Sequence, residues 1–189
     1  MTTINREIKA RKVILNLAVS LDGCIADQNG GFDWICGQSD DRADTPRQFD
    51  FSRFSQECDV IVMGKKSFDD CGIEHIENYQ EKQFLIASSQ TYGVQGNVRF
   101  VCDDIVQTIA KLKSERGKNI WLFGGARLAR DFIKSGLIDE YIIGIIPVIL
   151  GKGRKLFFDE YPFIRLCLTE CTVQDGVAIL RYVRRKEEE

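Results

Sequence analysis

Three apolar segments of the chain are each followed directly by glycine, serine or cationic residues. Glycine lets a ligand approach the backbone closely, and a helix that starts there offers free N–H groups to an anion. Lysine and serine add charge and hydrogen bonds for phosphate. Each segment alone also fits an ordinary turn or a solvated surface, but the three together indicate an extended polyphosphate ligand, with a dinucleotide as the simplest candidate. The residues are Gly124, Gly125, Ala126 and Arg127 after IWLF, Gly64, Lys65, Lys66 and Ser67 after VIVM, and Ser88 and Ser89 after FLIA.

A carboxylate follows a fourth apolar segment. Asp22 lies in the sequence SLDG directly after VILNLAV. It is a candidate proton or substrate partner, and an ordinary Asp-Gly turn explains it equally well. The glycine pair at Gly124 belongs to neither a Walker loop, which ends in Gly-Lys-Ser/Thr, nor a G-x-G-x-x-G fingerprint. The sequence therefore predicts a phosphate site outside the two commonest nucleotide motifs.

The side-chain inventory excludes most metal chemistry. His75 is the only histidine, so every site that needs two histidines is impossible, and its neighbours predict a surface or loop position. The seven cysteines include no Cys-x-x-Cys pair, which argues against a zinc site or a disulfide framework.

With 26 Lys+Arg and 28 Asp+Glu the net charge is −2, which disfavours nucleic acid and anionic membranes as partners. Since no apolar run approaches the ~20 residues of a membrane span, we predict a cytoplasmic protein. The histidine and cysteine inventory predicts that it holds no metal.

The apolar pattern predicts an α/β domain that spans residues 1–189. Several strand-like runs are almost continuously apolar, which is typical of a largely parallel sheet covered by helices on both faces. Asp175-Gly176 joins two closing segments, 165–174 and 177–184, as an antiparallel hairpin. Helices are predicted over 49–57, from an Asp103 or Asp104 cap to near Gly117, and over 126–134, and the polar segment 27–50 is predicted as a functional loop with one short helix. The strand runs are 13–19, 60–63, 84–87, 98–101, 120–123 and 141–146.

Four segments in this order closely resemble the dihydrofolate reductase-like superfamily. They are VSLDGCIA, DVIVMGKKSF, IWLFGGARLARDF and GLIDEYIIGIIPVILGKGRKLF. The similarity is strongest to the branch that contains the reductase domain of riboflavin biosynthesis, the C-terminal domain of a bifunctional deaminase-reductase. It implies a three-layer α/β/α fold with a mixed, mostly parallel sheet of about eight strands that ends in the antiparallel hairpin.

The resemblance also implies that NADPH binds across the strand ends. The cationic and hydroxyl residues favour NADPH, since NADH binders typically place an acidic residue at the ribose 2′-OH. By position, the glycine segment through Leu128 would hold the pyrophosphate, Lys65, Lys66 and Ser67 would meet the phosphates, and Ser88 and Ser89 would face the 2′-phosphate. Ala18 and Ile25 would lie near the nicotinamide.

The loop after the first strand distinguishes two branches of the superfamily. Folate reductases place a carboxylate several residues after a tryptophan, but the fifth residue after Trp34 is Ser39. The sequence WICGQSDDR instead resembles the W-I-T-S-x-x-D-R of the riboflavin branch. This match implies a substrate role for Trp34 and Arg42 and makes Asp41, with Asp22, a candidate catalytic residue.

The leading hypothesis is therefore an NADPH-dependent reductase that transfers a hydride to a pyrimidine- or pterin-like molecule. The family-level substrate is 5-amino-6-(5-phosphoribosylamino)uracil, and the chain would act without a deaminase domain. Two alternatives are a dihydrofolate reductase proper and a non-catalytic NADPH-binding sensor or assembly protein. We also expect a homodimer, because relatives are often dimers and the apolar segments 141–146 and 157–158 could form an interface. A buried sheet strand explains the same apolar residues without an interface.

Overall fold

The predicted strand runs lie side by side in one nine-stranded sheet. The computed structural model describes residues 10–158 and 161–185. A separate two-stranded antiparallel sheet, formed by β2 and β9, packs beside the large one. The strands are β1 (Val13–Ser20), β2 (Cys24–Asp27), β3 (Cys58–Gly64), β4 (Gln83–Ala87), β5 (Val94–Gln95), β6 (Val98–Val101), β7 (Asn119–Gly124), β8 (Glu140–Ile146), β9 (Gly153–Lys155), β10 (Leu166–Gln174) and β11 (Val177–Arg184).

The sheet is parallel in its centre and antiparallel at both ends. Its order is β10-β11-β8-β1-β7-β3-β4-β6-β5, and the six strands from β8 to β6 run in one direction. The predicted hairpin joins β10 to β11. Asp175 and Gly176 both have positive φ, 50° and 74°, which is the conformation of a two-residue turn that matches the twist of its strands.

Helices cover both faces of the sheet, which confirms the predicted α/β/α layering. Ile109 of helix α3 (Ile105–Lys113) and Phe132 of helix α4 (Ala126–Ser135) are fully buried against one face of the sheet. Phe54 packs helix α1 (Phe51–Gln56) against the opposite face. Asp104 caps α3, because its Oδ1 accepts from the N–H groups of Val106 and Gln107. The helices are α1 (Phe51–Gln56), α2 (Lys65–Cys71), α3 (Ile105–Lys113) and α4 (Ala126–Ser135).

The structure differs from the predicted elements where local contacts override the apolar pattern. α1 begins at Phe51 rather than at residue 49, since the Asp50 carboxylate accepts from the N–H of Arg53 at 2.8 Å and caps the helix there. Segment 28–50 is a loop throughout, without the expected short helix. None of the described helices has the length and apolarity to cross a membrane.

Candidate active site

A cleft of about 1590 Å³ lies at the carboxyl ends of the parallel strands. Ligands of open α/β sheets bind at this edge, because the strand ends and the helix starts meet there. Two halves of the cleft differ in chemistry. The cationic half includes Ile25, Gly64, Lys65, Lys66, Ser67, Ala87, Gly125, Ala126, Arg127, Leu128, Arg154 and Lys155, and the aromatic half includes Asn16, Phe32, Phe49, Phe51, His75, Trp121, Phe123, Ile142, Val177 and Ile179.

The glycine turn after β7 forms the centre of the cationic half. Gly124 has a φ of +113°, which only glycine adopts readily, and the peptide bond between Gly124 and Gly125 is cis. A Cβ at Gly125 would come within 3.2 Å of Ser67 Oγ and 3.6 Å of Ile25 Cδ1. The Gly125 N-cap supplies no side chain to the first N–H groups of α4. This helix start is therefore suited to an anion that fits closely against the backbone.

Lys65 and Lys66, on α2, are each paired with a carboxylate one turn further along the helix. Lys65 Nζ lies 2.6 Å from Asp69 Oδ2, and Lys66 Nζ lies 3.0 Å from Asp70 Oδ2. Such exposed i,i+4 pairs stabilise a helix only weakly. The lysines can therefore exchange these partners for a phosphate at little cost. Arg127, in the first turn of α4, is exposed and makes no ion pair with a described residue.

The short strand β9 brings two further cations to the cleft, Arg154 and Lys155, that were absent from the sequence prediction. Cys24 on β2 pairs with Lys155, and Ala26 pairs with Arg154. Arg154 lies 3.9 Å from Asp70 of α2, so it faces the lysines across the cationic half. A three-residue polar strand has no apolar period to reveal it. Only its pairing with β2 makes it a strand.

Asp22 anchors the loop beneath β9. Its carboxylate accepts from Ser20 Oγ at 2.7 Å and from the N–H groups of Leu150 and Gly151, both at 3.1 Å. Lys155 Nζ lies 3.1 Å from Asp22 Oδ2. The Ser20 hydrogen bond, the Leu150 N–H and the Lys155 contacts together hold the pKa of Asp22 well below its ordinary value. Asp22 does not line the cleft, and this carboxylate is ionised at neutral pH.

The aromatic half is built on the opposite face of the central strands from α3 and α4. Phe51 packs edge-on against Trp121 with 5.6 Å between the ring centroids, and the ring centroids of Trp121 and Phe123 lie 5.4 Å apart. His75 packs edge-on against Phe123 at 6.2 Å, so the histidine predicted for the surface is exposed and also lines the cleft. The indole N–H of Trp121 donates to the backbone oxygen of Asn16 at 3.0 Å, which fixes the indole over β1.

Ala18 and Gly144 form a shallow floor between the two halves. They pair directly across β1 and β8, and a Cβ at Gly144 would lie 3.6 Å from Val177 and 4.0 Å from Ala18. Because both residues are small, a flat group can lie directly on the sheet at this point. The resemblance assigns the nicotinamide to this neighbourhood.

Several predicted site residues lie off the cleft. Asp41 and Arg42 line a separate hollow beside the hairpin turn, where Arg42 pairs with Asp40, and the Trp34 indole N–H donates to Gly31 O at 3.1 Å. Gly124 is buried behind Gly125, and Ser88 and Ser89 follow Ala87, the last residue of β4 and part of the cleft lining. The roles given to these residues stay predictions.

Comparisons with known proteins agree with this fold. Residues 11–180 match the RibD C-terminal domain family, and the chain belongs to that family. It is 34% identical over 193 residues to the uncharacterised protein YyaP of Bacillus subtilis, which covers 95% of this chain and 98% of YyaP. A candidate riboflavin biosynthesis protein from Shewanella sp. PV-4 superposes with a TM-score of 0.74 at 27% identity, over 93% of this chain and 99% of that one. Dihydrofolate reductase from Enterococcus faecalis shares the fold alone, with a TM-score of 0.62 at 14% identity over 93% and 97% of the two chains.

The chain is therefore a member of the RibD C-terminal domain family with the dihydrofolate reductase-like fold, as the sequence resemblance predicted.

Proposed function

We propose that the protein is an NADPH-dependent oxidoreductase that reduces a flat pyrimidine- or pterin-like ring. One observation carries the proposal: a single cleft joins a cationic half with a free helix start to an aromatic half. The first half suits the phosphates of a dinucleotide, and the second suits a planar heterocycle. Ala18 and Gly144 lie between them, where the nicotinamide and the substrate ring would meet.

The residues of the cationic half fit NADPH. The free N–H groups at the start of α4 and the hydroxyl of Ser67 are donors for a pyrophosphate. Lys65, Lys66, Arg127 and Arg154 supply positive charge around them. Beyond β4 the sequence continues as Ser-Ser-Gln, without the acidic residue that NADH binders use for the ribose 2′-OH. NADPH supplies the hydride from C4 of its nicotinamide.

The protein's own contribution is to hold the two rings together and to exclude water. Phe51, Trp121 and Phe123 form a wall without a charged side chain in the described structure, which lowers the local polarity and orients a planar ring. Asp22 is an ionised acceptor and positions Lys155 rather than donating a proton. The hydrogen bond that Lys155 Nζ donates to the Asp22 carboxylate raises the pKa of Lys155, so Lys155 remains a cation at the edge of the cleft.

Among substrates, 5-amino-6-(5-phosphoribosylamino)uracil is the first candidate, because the chain belongs to the RibD C-terminal domain family. Dihydrofolate is the weaker candidate. Folate reductases use a carboxylate to meet the pterin ring, whereas Asp40 and Asp41 lie in the separate hollow. Asp70 is the carboxylate among the described residues of the cleft lining, and it is paired with Lys66 of the cationic half.

NADPH oxidation, followed by loss of the reduced nicotinamide absorbance, tests this proposal. The purified protein should oxidise NADPH when the riboflavin precursor is added, and more slowly or not at all with dihydrofolate. Faster turnover of dihydrofolate would reverse the substrate preference. Tight NADPH binding without oxidation of NADPH by either compound or by simple pyrimidines and pterins would instead support a sensor or assembly protein.

A further inference from the structure

Asn16 is a buried polar residue in the wall of the aromatic half. The residue is 9% exposed, and its Nδ2 has no hydrogen-bond partner in the described structure. Two other buried polar side-chain atoms share this state, Ser55 Oγ and Arg181 Nε, but neither residue lines the cleft. Asn16 therefore combines burial, a missing partner and a position in the cleft wall.

The surroundings of Asn16 are apolar. On β1 it pairs with Ile142 of β8, and the same face of the sheet carries Ile14 and Trp121. A buried amide without a partner destabilises a fold, and a leucine of similar size would avoid that cost. Unsatisfied buried groups are rare in native proteins and call for an explanation. A ligand that supplies the missing hydrogen bond explains this one.

The position of Asn16 specifies which part of a ligand it would meet. Asn16 and Ala18 are two residues apart on one strand, so their side chains share a face and lie roughly 7 Å apart. If the nicotinamide lies at Ala18, as the proposed function requires, then Asn16 is about one ring width further into the aromatic half. Trp121 donates to the backbone oxygen of Asn16, so this contact leaves the side-chain amide of Asn16 without a partner among the described residues.

We infer that Asn16 determines substrate specificity by binding the hydrogen-bonding edge of the substrate ring. When the ligand binds, the amide turns into the cleft, where Nδ2 donates to a ring carbonyl and Oδ1 accepts from the neighbouring ring N–H. This arrangement selects heterocycles with a cyclic C(=O)–NH group, such as uracils and oxopteridines, over flat rings that lack it. The inference rests on the proposed function for the location of the nicotinamide, but its test does not require turnover.

Calorimetric titration in the presence of NADP⁺ tests this role with two bicyclic probes. Lumazine carries the C(=O)–NH edge, whereas quinoxaline has a similar shape and lacks it. Removing one partner of a buried hydrogen bond should weaken lumazine binding by about 10-fold or more in Asn16→Leu. Asn16→Ala, which removes the whole amide, should show the same loss. Quinoxaline binding should be unchanged or tighter in Asn16→Leu, and Gln107→Leu on the exposed face of α3 serves as the matched amide-to-leucine control.

Thermal unfolding separates a binding role from a structural one. Since Asn16 leaves a buried amide unpaired, Asn16→Leu should unfold at an equal or higher temperature than the wild type. An unchanged lumazine-to-quinoxaline affinity ratio in the variants would overturn the inference. Loss of folding in both variants would overturn it too, because it would make the amide a structural requirement. Failure of NADP⁺ to bind the wild type, with the Asn16-dependent preference intact, would refute the proposed function alone.

Discussion

Replacing Arg127 by methionine should weaken NADPH binding. Arg127 is exposed in the first turn of α4, lines the cationic half and adds charge to the free helix start there. A hydrogen bond to a charged group contributes roughly 1.5–3 kcal/mol, and solvent around an exposed guanidinium reduces this to about 1–2 kcal/mol. The expected loss in affinity is therefore about 5- to 30-fold in Kd.

Arg130 provides a matched control for this substitution. It lies one turn further along α4, pairs with Asp131 at 3.1 Å and is not part of the cleft lining. Fluorescence titration of NADPH into Arg127→Met and Arg130→Met compares the loss of the same charge at the two places. An equal loss of affinity in both variants, or binding of NADPH by Arg127→Met as tight as in the wild type, would show that Arg127 does not contact the cofactor.

Three further predictions follow from other parts of the structure. Ser89→Ala should weaken NADPH more than NADH, by on the order of 1–3 kcal/mol; equal losses for both cofactors would remove the 2′-phosphate assignment. Asp22→Asn should lower the unfolding temperature at pH 7 and have a smaller effect at pH 3. The pKa of Asp22 is held below its ordinary 3.8 in the folded protein, so the ionised form stabilises the fold above that pH and loses this contribution as the pH falls; a constant gap in thermal scans would contradict this. Residues 141–146 lie in the interior strand β8, so we place the interface of the proposed homodimer at the edge strand β10 instead. Leu168→Glu on β10, where Leu168 is 54% exposed, should then give a monomer in light scattering, and an unchanged mass would exclude that edge as the interface.

Elements whose residues repeat a clear apolar or capping pattern were predictable from the sequence. β1 and β8 are buried on both faces, so their continuous apolar runs match the structure closely. The hairpin followed from Asp175-Gly176, because few other residue pairs adopt its backbone conformation at so low a cost. The glycine segment at the start of α4 was likewise located by its residue types.

Features that depend on tertiary contacts were not predictable in this way. β9 is three residues long and polar, and it becomes a strand only by pairing with β2, so Arg154 and Lys155 could not be assigned to the cleft. Asn16 interrupts an apolar run by one residue, and a single polar residue in a strand gives no sign of whether its amide is satisfied. His75 reached the cleft through its packing on Phe123, a contact between distant parts of the sequence.

A crystal structure of the protein with NADPH would show where the pyrophosphate and the nicotinamide bind in the cleft. The pyrophosphate should lie at the N–H groups of Gly125–Arg127, near Ser67, and the nicotinamide should lie against Ala18. The C4 face that donates the hydride should be open toward Trp121 and Asn16. A pyrophosphate bound away from α4, or a nicotinamide that faces solvent rather than the aromatic half, would contradict the proposed function.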